Sequence, residues 1–227
     1  MGFTEYVSSN FSSLVFYGQQ HFLLVLYSVA AATAIALAAG VLLHTSSVSP
    51  PSWSRPVRAG SRETLLLVSS AALTIPSLAL FGLLQPALGI GIAPSLVALT
   101  IYGVYPVLRN TVAGLSSVDP AVLEAARGMG LGPAWRMVRV QLPLAWPVIV
   151  SGIRVATLIL IGIAVVAASV SGPGLGQPLF TGLARLGAVN SFNQVLSGTL
   201  GCLVVAAIYE IAFFAIQRLT TPRGIRV

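Results

Sequence analysis

The chain is poor in charged residues and contains a single cysteine. Charged residues make up 7% of its 227 residues, whereas they make up about a quarter of a typical soluble domain. One cysteine, Cys202, cannot form an internal disulfide or supply a cysteine-based metal site. The low charge therefore excludes an ordinary soluble domain, and the cysteine content excludes a fold held together by disulfides.

Long apolar runs take the place of the missing charge. Hydrophobic residues make up 56% of the chain, and the mean hydropathy is +0.92. A helix needs about 20 mostly apolar residues to cross a bilayer core about 30 Å thick. Helices are expected because lipid offers the backbone no hydrogen-bond partner. Five runs meet this length, at residues 21–43, 64–84, 90–108, 146–170 and 195–216. They predict an all-α, polytopic membrane bundle made of one domain, residues 21–227, preceded by an external N-terminal segment, residues 1–20.

The arginines predict the orientation of this bundle. All twelve basic residues are arginine, and short cytoplasmic loops carry the excess of basic residues in membrane proteins. An external N-terminus and a cytoplasmic C-terminus place most of the arginines inside. Because they flank the spans and do not alternate with aromatic residues on one face, their charge indicates contact with the lipid bilayer and not with nucleic acid. The cytoplasmic arginines are Arg55, Arg58, Arg62, Arg109, Arg127, Arg136, Arg139, Arg218, Arg223 and Arg226.

The longest cytoplasmic loop of this topology, residues 119–143, carries signals for two short helices. Asp119 is typical of a helix start, because its carboxylate caps free N–H groups and the proline that follows costs nothing at the first helical position. Gly130 suits the left-handed residue that ends a helix, and the Gly-Pro pair at residues 132–133 starts a second one. Two short helices that meet at a glycine predict a docking surface for another protein. The alternative is a solvated linker.

The same loop has a specific residue spacing. It runs Glu124-Ala125-Ala126, three residues, Gly130, nine residues, and then Val140-x-Leu142-Pro143. This pattern resembles the EAA loop of ABC importer permeases, in which the loop forms a coupling helix that enters a groove on a cytoplasmic ATPase. The resemblance implies that ATP and Mg²⁺ bind to the ATPase partner, so that this chain binds no cofactor and is not itself an enzyme. The residues that it assigns to ATPase coupling are Glu124, Ala125, Ala126, Gly130, Leu142 and Pro143.

Four further motifs resemble the glycine betaine, choline and carnitine branch of these permeases. They are TIPSLAL at residues 74–80, LRNT at 108–111, GIR at 152–154 and GLG at 174–176. The resemblance implies a multi-pass permease of a bacterial-type inner (cytoplasmic) membrane that forms the path for an osmoprotectant. It also implies three partners: ATPase subunits, a second permease copy or a similar permease, and an extracytoplasmic solute-binding protein. A methionine-like amino acid and ergothioneine are the alternative solutes.

Two ionisable residues lie inside the predicted spans, where a buried charge costs several kcal/mol. Arg154 lies eight residues from Trp146, and Glu210 lies eight residues from Arg218. At 1.5 Å per residue both are roughly 12 Å deep, and they are predicted to pair across two helices. The alternatives are an Arg154 that reaches up to the membrane interface and a Glu210 that faces a dimer seam or the solute path.

Helix breakers and two tyrosines mark a candidate solute path. Pro76 interrupts the second run, which predicts a hinge or backbone that faces the path; a kink accommodated by packing is the alternative. Tyr102 and Tyr105 lie three residues apart on one face of the third run. Aromatic faces hold quaternary ammonium groups, so both tyrosines are candidates for the path. Ordinary packing or an interfacial belt is the alternative for them.

The sequence offers no set of catalytic residues. Intramembrane aspartic catalysis needs two neighbouring carboxylates, and Glu210 is the only acid well inside a run. A serine mechanism needs a histidine base, but His21 and His44 mark opposite ends of the first run, about 34 Å apart by helix rise. A membrane enzyme and a structural scaffold are therefore remote alternatives.

The glycine-rich segment 171–190 lies outside the membrane in this topology. It is predicted to fold as a loop with a short surface helix, which could face a binding protein. Its G-x-G-x-G spacing at Gly172, Gly174 and Gly176 differs from the dinucleotide and phosphate-loop patterns, and no strand precedes it. Nucleotide binding by this segment is therefore excluded.

Overall fold

The computed structural model describes residues 1–47 and 55–220, apart from the side chains of 45–47 and 55–62. Within these ranges the chain is almost entirely helical and contains no β-strand. Arg223 and Arg226, two of the arginines that predict the orientation, lie outside the described residues, as do the side chains of Arg55, Arg58 and Arg62. The helices are α1 (Phe3–Ser9), α2 (Phe11–Ser47), α3 (Arg55–Ala72), α4 (Ser77–Leu88), α5 (Ile92–Ser116), α6 (Pro120–Gly128), α7 (Pro133–Arg136), α8 (Leu142–Val166), α9 (Gly176–Ala184) and α10 (Ser191–Thr220).

Four helical stretches are each long and apolar enough to cross a membrane. They are Phe11–His44, Ile92–Ser116, Pro133–Val170 and Ser191–Thr220. A fifth span is formed if the bent pair Glu63–Ala72 and Ser77–Leu88 is taken together. The predicted all-α membrane bundle of about five helices is confirmed.

The first membrane helix is longer at its N-terminal end than the apolar run indicated. It begins at Phe11, ten residues before the predicted start at His21. Residues 11–20 contain one glycine and no proline, so no strong helix breaker separates them from the apolar run. The predicted external segment, residues 1–20, is therefore itself helical, with α1 followed directly by the first turns of α2.

The second span is divided by a sharp bend. The two halves, α3 and α4, meet at an angle of 92° around residues 73–76. Pro76 explains the position of the break, because proline disfavours a helical conformation for the residue before it and has no N–H for the helical ladder. The proline therefore divides one predicted span into two short helices.

The elbow, as residues 119–143 are called from here on, differs from the prediction in its second half. The predicted second short helix, which starts at residues 132–133, is not a separate element. It continues without a break through a π-helical turn at Met137–Gln141 into α8. In a regular α-helix the ring of Pro143 would collide with the carbonyl of the residue four positions earlier. The wider π turn, closed by the N–H of Leu142 on the carbonyl of Met137, carries the helix past this proline.

The core lies where α2, α5 and α8 pack against one another, and small residues allow close approach. A β-carbon on Gly103 would come within 2.8 Å of Ala32 on α2 and 3.1 Å of Leu160 on α8. Gly152 on α8 is even closer to α5, where a β-carbon would lie 2.4 Å from Asn110. Small residues at helix contacts are typical of membrane proteins, because lipid gives apolar side chains little reason to associate. The glycines thus fix the spacing of the three central helices.

Candidate functional site

The first half of the elbow is a well-capped short helix. The Asp119 carboxylate accepts a hydrogen bond of 2.8 Å from the N–H of Ala121, and proline occupies the first helical position. At the other end, the N–H of Leu131 donates to the carbonyl of Ala126 and the N–H of Gly130 donates to that of Arg127. Gly130 has a φ of +80°, the left-handed conformation that closes a helix in this way. Local sequence signals therefore account for both ends of α6.

The exposed surface of the elbow differs in part from the predicted docking surface. Glu124 and Ala125 are exposed. Ala126 is only 2% exposed, so its side chain is not part of the exposed face of α6, contrary to the expectation. Of the two remaining coupling residues, Leu142 is half-buried and Pro143 is exposed.

Large apolar side chains that sequence reasoning did not single out also cover the elbow. Met129 is 74% exposed and Trp135 is 56% exposed. The guanidinium of Arg139 lies 4.5 Å from the centre of the Trp135 ring, a cation–π contact. The four-residue spacing of the tryptophan and the arginine on a helix was the available signal for this contact. Both side chains add apolar area to the exposed surface of the elbow.

Arg154 and Glu210 lie in direct contact between α8 and α10. The Nε of Arg154 donates a hydrogen bond of 2.9 Å to Oε1 of Glu210, and Nη2 contacts the second carboxylate oxygen, so the contact is bidentate. Nearer the ends of the same two helices, Nε1 of Trp146 donates to Oγ1 of Thr220 over 2.9 Å. The Arg154 and Glu210 side chains are still 43% and 32% exposed, so the pair lies on the outer surface of the chain.

Of the path candidates, Tyr102 and the break before Pro76 are brought together. The hydroxyl of Tyr102 donates a hydrogen bond of 2.8 Å to the carbonyl of Ile75, a group that the broken helix leaves without a helical partner. Tyr102 is 2% exposed, whereas Tyr105 is half-buried and Pro76 is exposed. Tyr102 therefore supports the bend, and its hydroxyl is already occupied.

The end of α8 that is far from the elbow packs against glycines and a buried histidine. His21 is fully buried, and its Nε2 lies 3.1 Å from the carbonyl of Ile161. Gly174, at a φ of +120°, packs on this histidine so closely that a β-carbon would lie 2.9 Å from Nδ1. Sequence reasoning considered His21 only as a catalytic base. A polar side chain at the start of an apolar run was the available signal for its contact with another helix.

The predicted short surface helix of segment 171–190 is packed more tightly than expected. It corresponds to α9, in which Gly176, Pro178 and Gly182 are buried. Gly176 lies against the carbonyl of Val165 on α8, and Gly182 lies against the carbonyl of Ser191 on α10. One face of α9 is thus part of the bundle, which corrects the prediction of a purely superficial helix.

Comparison with known protein families gives one match that spans most of the chain. Residues 58–225 match the profile of the family described as "Binding-protein-dependent transport system inner membrane component". The matched region contains the elbow, the α3–α4 break and the Arg154–Glu210 pair.

Individual proteins are similar over two thirds of the chain or more. The "Osmoprotectant import permease protein OsmY" of Salmonella typhimurium is 33% identical over 93% of this chain and 84% of that protein. The "Choline transport system permease protein OpuBB" of Bacillus subtilis is 31% identical over 98% of this chain and 95% of that protein. The "Glycine betaine/carnitine/choline transport system permease protein OpuCB" of Bacillus subtilis is 37% identical over 67% of this chain and 69% of its own length.

A solved structure has the same fold. A chain of the MetNI methionine ABC transporter, in an inward-facing conformation, matches with a TM-score of 0.78 at 21% identity and covers 92% of this chain and 96% of that chain. At this identity the match establishes the fold alone.

Proposed function

Because the chain belongs to the family of inner membrane components of binding-protein-dependent transport systems, we propose that it is the permease subunit of an ATP-driven importer for a small quaternary amine. It is a helical membrane protein of this transport family. The proposal adds the solute, the residues that contact the ATPase and the way in which movement is transmitted.

The observation that carries the proposal is the continuity of the elbow with a membrane helix. The helix from Pro133 to Val170 has no break, and it begins directly after the turn that ends α6. A force on α6 therefore acts on one end of a helix whose other end packs against α2 and α9. A loop joined to the bundle by a flexible linker would dissipate the same force.

The exposed face of α6 suits a partner protein. Glu124 provides an acceptor for hydrogen bonds, and Ala125 beside it lets a second surface approach closely. Met129 supplies an exposed apolar group next to them. We assign this face to a cytoplasmic ATPase, which binds and hydrolyses Mg²⁺–ATP, while the elbow transmits the resulting movement. The elbow side of the membrane is then the cytoplasmic side, and the N-terminus lies outside.

The transport mechanism that follows is alternating access. Two permease chains, identical or similar, enclose a central path, and closure of two ATPases on ATP moves both elbows together. The movement changes the side of the membrane to which the path opens. The chain's own residues carry no chemical step, because the energy comes from hydrolysis on the partner.

The quaternary amine is supported by the names of the similar proteins, which refer to osmoprotectants, choline, carnitine and glycine betaine. Aromatic faces are the natural binding site for such a cation. In the third span Tyr102 is buried and its hydroxyl is used inside the chain, so it does not contribute to an open aromatic cage. We therefore assign selection of the solute to a separate extracytoplasmic binding protein.

Reconstitution tests this function. The chain is placed in proteoliposomes with its ATPase and binding protein, and uptake of labelled glycine betaine, choline and carnitine is followed with ATP inside or outside the vesicles. We expect uptake of at least one of these solutes only when ATP is present on the ATPase side. A matched complex with a hydrolysis-deficient ATPase serves as control. An assembled complex that takes up none of them, but does take up methionine, would overturn the proposed solute and retain the importer class.

A further inference from the structure

The intramembrane ion pair shares its surface with other polar residues. Ser151 lies one turn before Arg154 on α8 and is exposed, and Gln217 lies two turns after Glu210 on α10 and is half-buried. The contact between Trp146 and Thr220 closes this row at the elbow end. We call it the polar stripe, formed by Ser151, Arg154, Glu210, Gln217 and Thr220.

The polar stripe ends at the ion pair. Farther from the elbow, the exposed side chains of α8 are apolar, with Val155, Leu158 and Ile159 each more than a third exposed. On α10 the exposed positions beyond Glu210 include Leu203 and Val204. At 1.5 Å per residue, the pair lies about 12 Å from Trp146. On these two helices the polar stripe therefore lies between the elbow end and the pair, with exposed apolar side chains such as Phe214 beside it.

Lipid is a poor environment for this stripe. An ionised side chain that faces the hydrocarbon costs several kcal/mol, and intramembrane charges almost always face the bundle interior or a water-filled cavity. A dry seam with a second chain removes water from both charges, and this desolvation can exceed their mutual attraction. Water on the open side of the pair avoids both penalties. The polar residues towards the elbow can donate hydrogen bonds to this water or accept them from it.

We propose that the polar stripe lines the elbow-side half of the solute path and that the Arg154–Glu210 pair is a transient contact for a small zwitterion. This inference rests on the proposed importer function. A zwitterion such as glycine betaine carries the same two charges as the pair, so its carboxylate accepts hydrogen bonds from Arg154 while its ammonium group lies beside Glu210. The existing ion pair competes with the solute, which keeps the contact weak, as passage requires.

Thiol labelling tests whether the stripe faces water. In the Cys202→Ala background, single cysteines replace Ser151 on α8 or Gln217 on α10. The controls replace Ile211 or Ala215, which are exposed on α10 away from the stripe. A charged, membrane-impermeant thiosulfonate reacts with thiolates in water, so we expect the stripe cysteines to react at least about tenfold faster than the controls. Equal, slow reaction at all four positions would contradict the proposal. If the cysteine at position 151 is not labelled and instead forms a disulfide with the same cysteine of a second chain, the stripe is a dry interface between two chains and not part of the path.

A neutral variant of the pair tests contact with the solute. Arg154→Gln combined with Glu210→Gln removes both charges and leaves amide groups that can bond to each other. We expect the maximal rate of glycine betaine uptake to fall by at least about tenfold, as for loss of charge-assisted hydrogen bonds, while binding-protein-stimulated ATP hydrolysis continues. Glu5→Gln, which removes a charge from the exposed face of α1 outside the stripe, is the control and should transport normally.

The importer function and the role of the ion pair can be disproved separately. If the unmodified complex transports none of the quaternary amines, the proposed function is wrong. If the unmodified complex transports glycine betaine and the neutral double variant does so at the same rate, only the assignment of the ion pair is wrong. If the double variant loses uptake together with ATPase stimulation, the pair is a structural clamp and not a solute contact.

Discussion

At the scale of single residues, the bidentate contact between Arg154 and Glu210 is the most informative feature. Each charge compensates the other in a part of the chain that crosses the membrane. Removing one partner leaves the other charge uncompensated, which costs more than removing both. The pair must therefore be tested as a unit.

Reversal of the two charges gives such a test. Arg154→Glu and Glu210→Arg each place two like charges in contact, so each single variant should lose most of its uptake. The double variant restores opposite charges at the same two positions, and we expect it to recover a substantial part of the uptake. Uptake is compared at equal amounts of membrane-inserted protein. Failure of the double variant to exceed either single one would show that the two residues act independently.

Gly130 provides a second test at this scale, because the reason for a glycine is conformational. Its φ is +80°, and no atom lies within 4 Å of a β-carbon built there. Gly130→Ala should therefore destabilise the turn by about 1–2 kcal/mol through backbone strain alone, and we expect weaker co-purification of the ATPase. Gly128→Ala is a matched control, since it also has open space but lies inside α6. Equal ATPase binding by both variants would contradict a role for the turn.

At the scale of secondary structure, the central contact is that of α5 with α8. A β-carbon on Gly152 would lie 2.4 Å from the Asn110 side chain and 3.0 Å from the carbonyl of Pro106. The carbonyl belongs to the backbone and cannot move aside easily. Close packing at this point is therefore a property of the two helices and not of one flexible side chain.

Alanine substitution on α8 tests this packing. Gly152→Ala should lower the free energy of unfolding by about 1–3 kcal/mol, the usual cost of overpacking. Gly162→Ala, on the same helix with nothing within 4 Å of the added carbon, should be neutral or slightly stabilising because alanine favours helix. Thermal unfolding in detergent is the measurement. An unchanged midpoint for Gly152→Ala would show that α5 and α8 are farther apart than described.

The comparison of sequence and structure is also clearest for the helices. Apolar length was enough to predict an all-helical bundle, and the local signals at Asp119 and Gly130 were enough to predict α6 and its end. The continuity of the elbow with α8 could not be predicted, because Pro143 normally indicates a helix start. The π turn that accommodates this proline has no simple sequence signature. The burial of Ala126 and the contact of His21 with α8 depend on tertiary packing, which periodicity does not contain.

At the scale of the whole molecule, the elbow lies at one end of a continuous helix, and His21 and Gly176 contact the other end. Movement at the elbow can therefore reach the region where Gly174 packs on His21. It can also reach α10 through the Arg154–Glu210 and Trp146–Thr220 contacts. The arrangement provides mechanical links from one end of the bundle to the other.

The central claim is that the exposed face of α6 receives the force of a partner ATPase. The most direct measurement is ATP-driven solute uptake by a complex that carries Glu124→Arg, with membrane insertion and ATPase association measured in parallel. Glu5→Arg makes the same charge change on the exposed face of α1 and is the control. We predict that Glu124→Arg inserts normally but loses ATPase association and uptake, while Glu5→Arg keeps both. Normal ATPase association and uptake in Glu124→Arg would contradict the account.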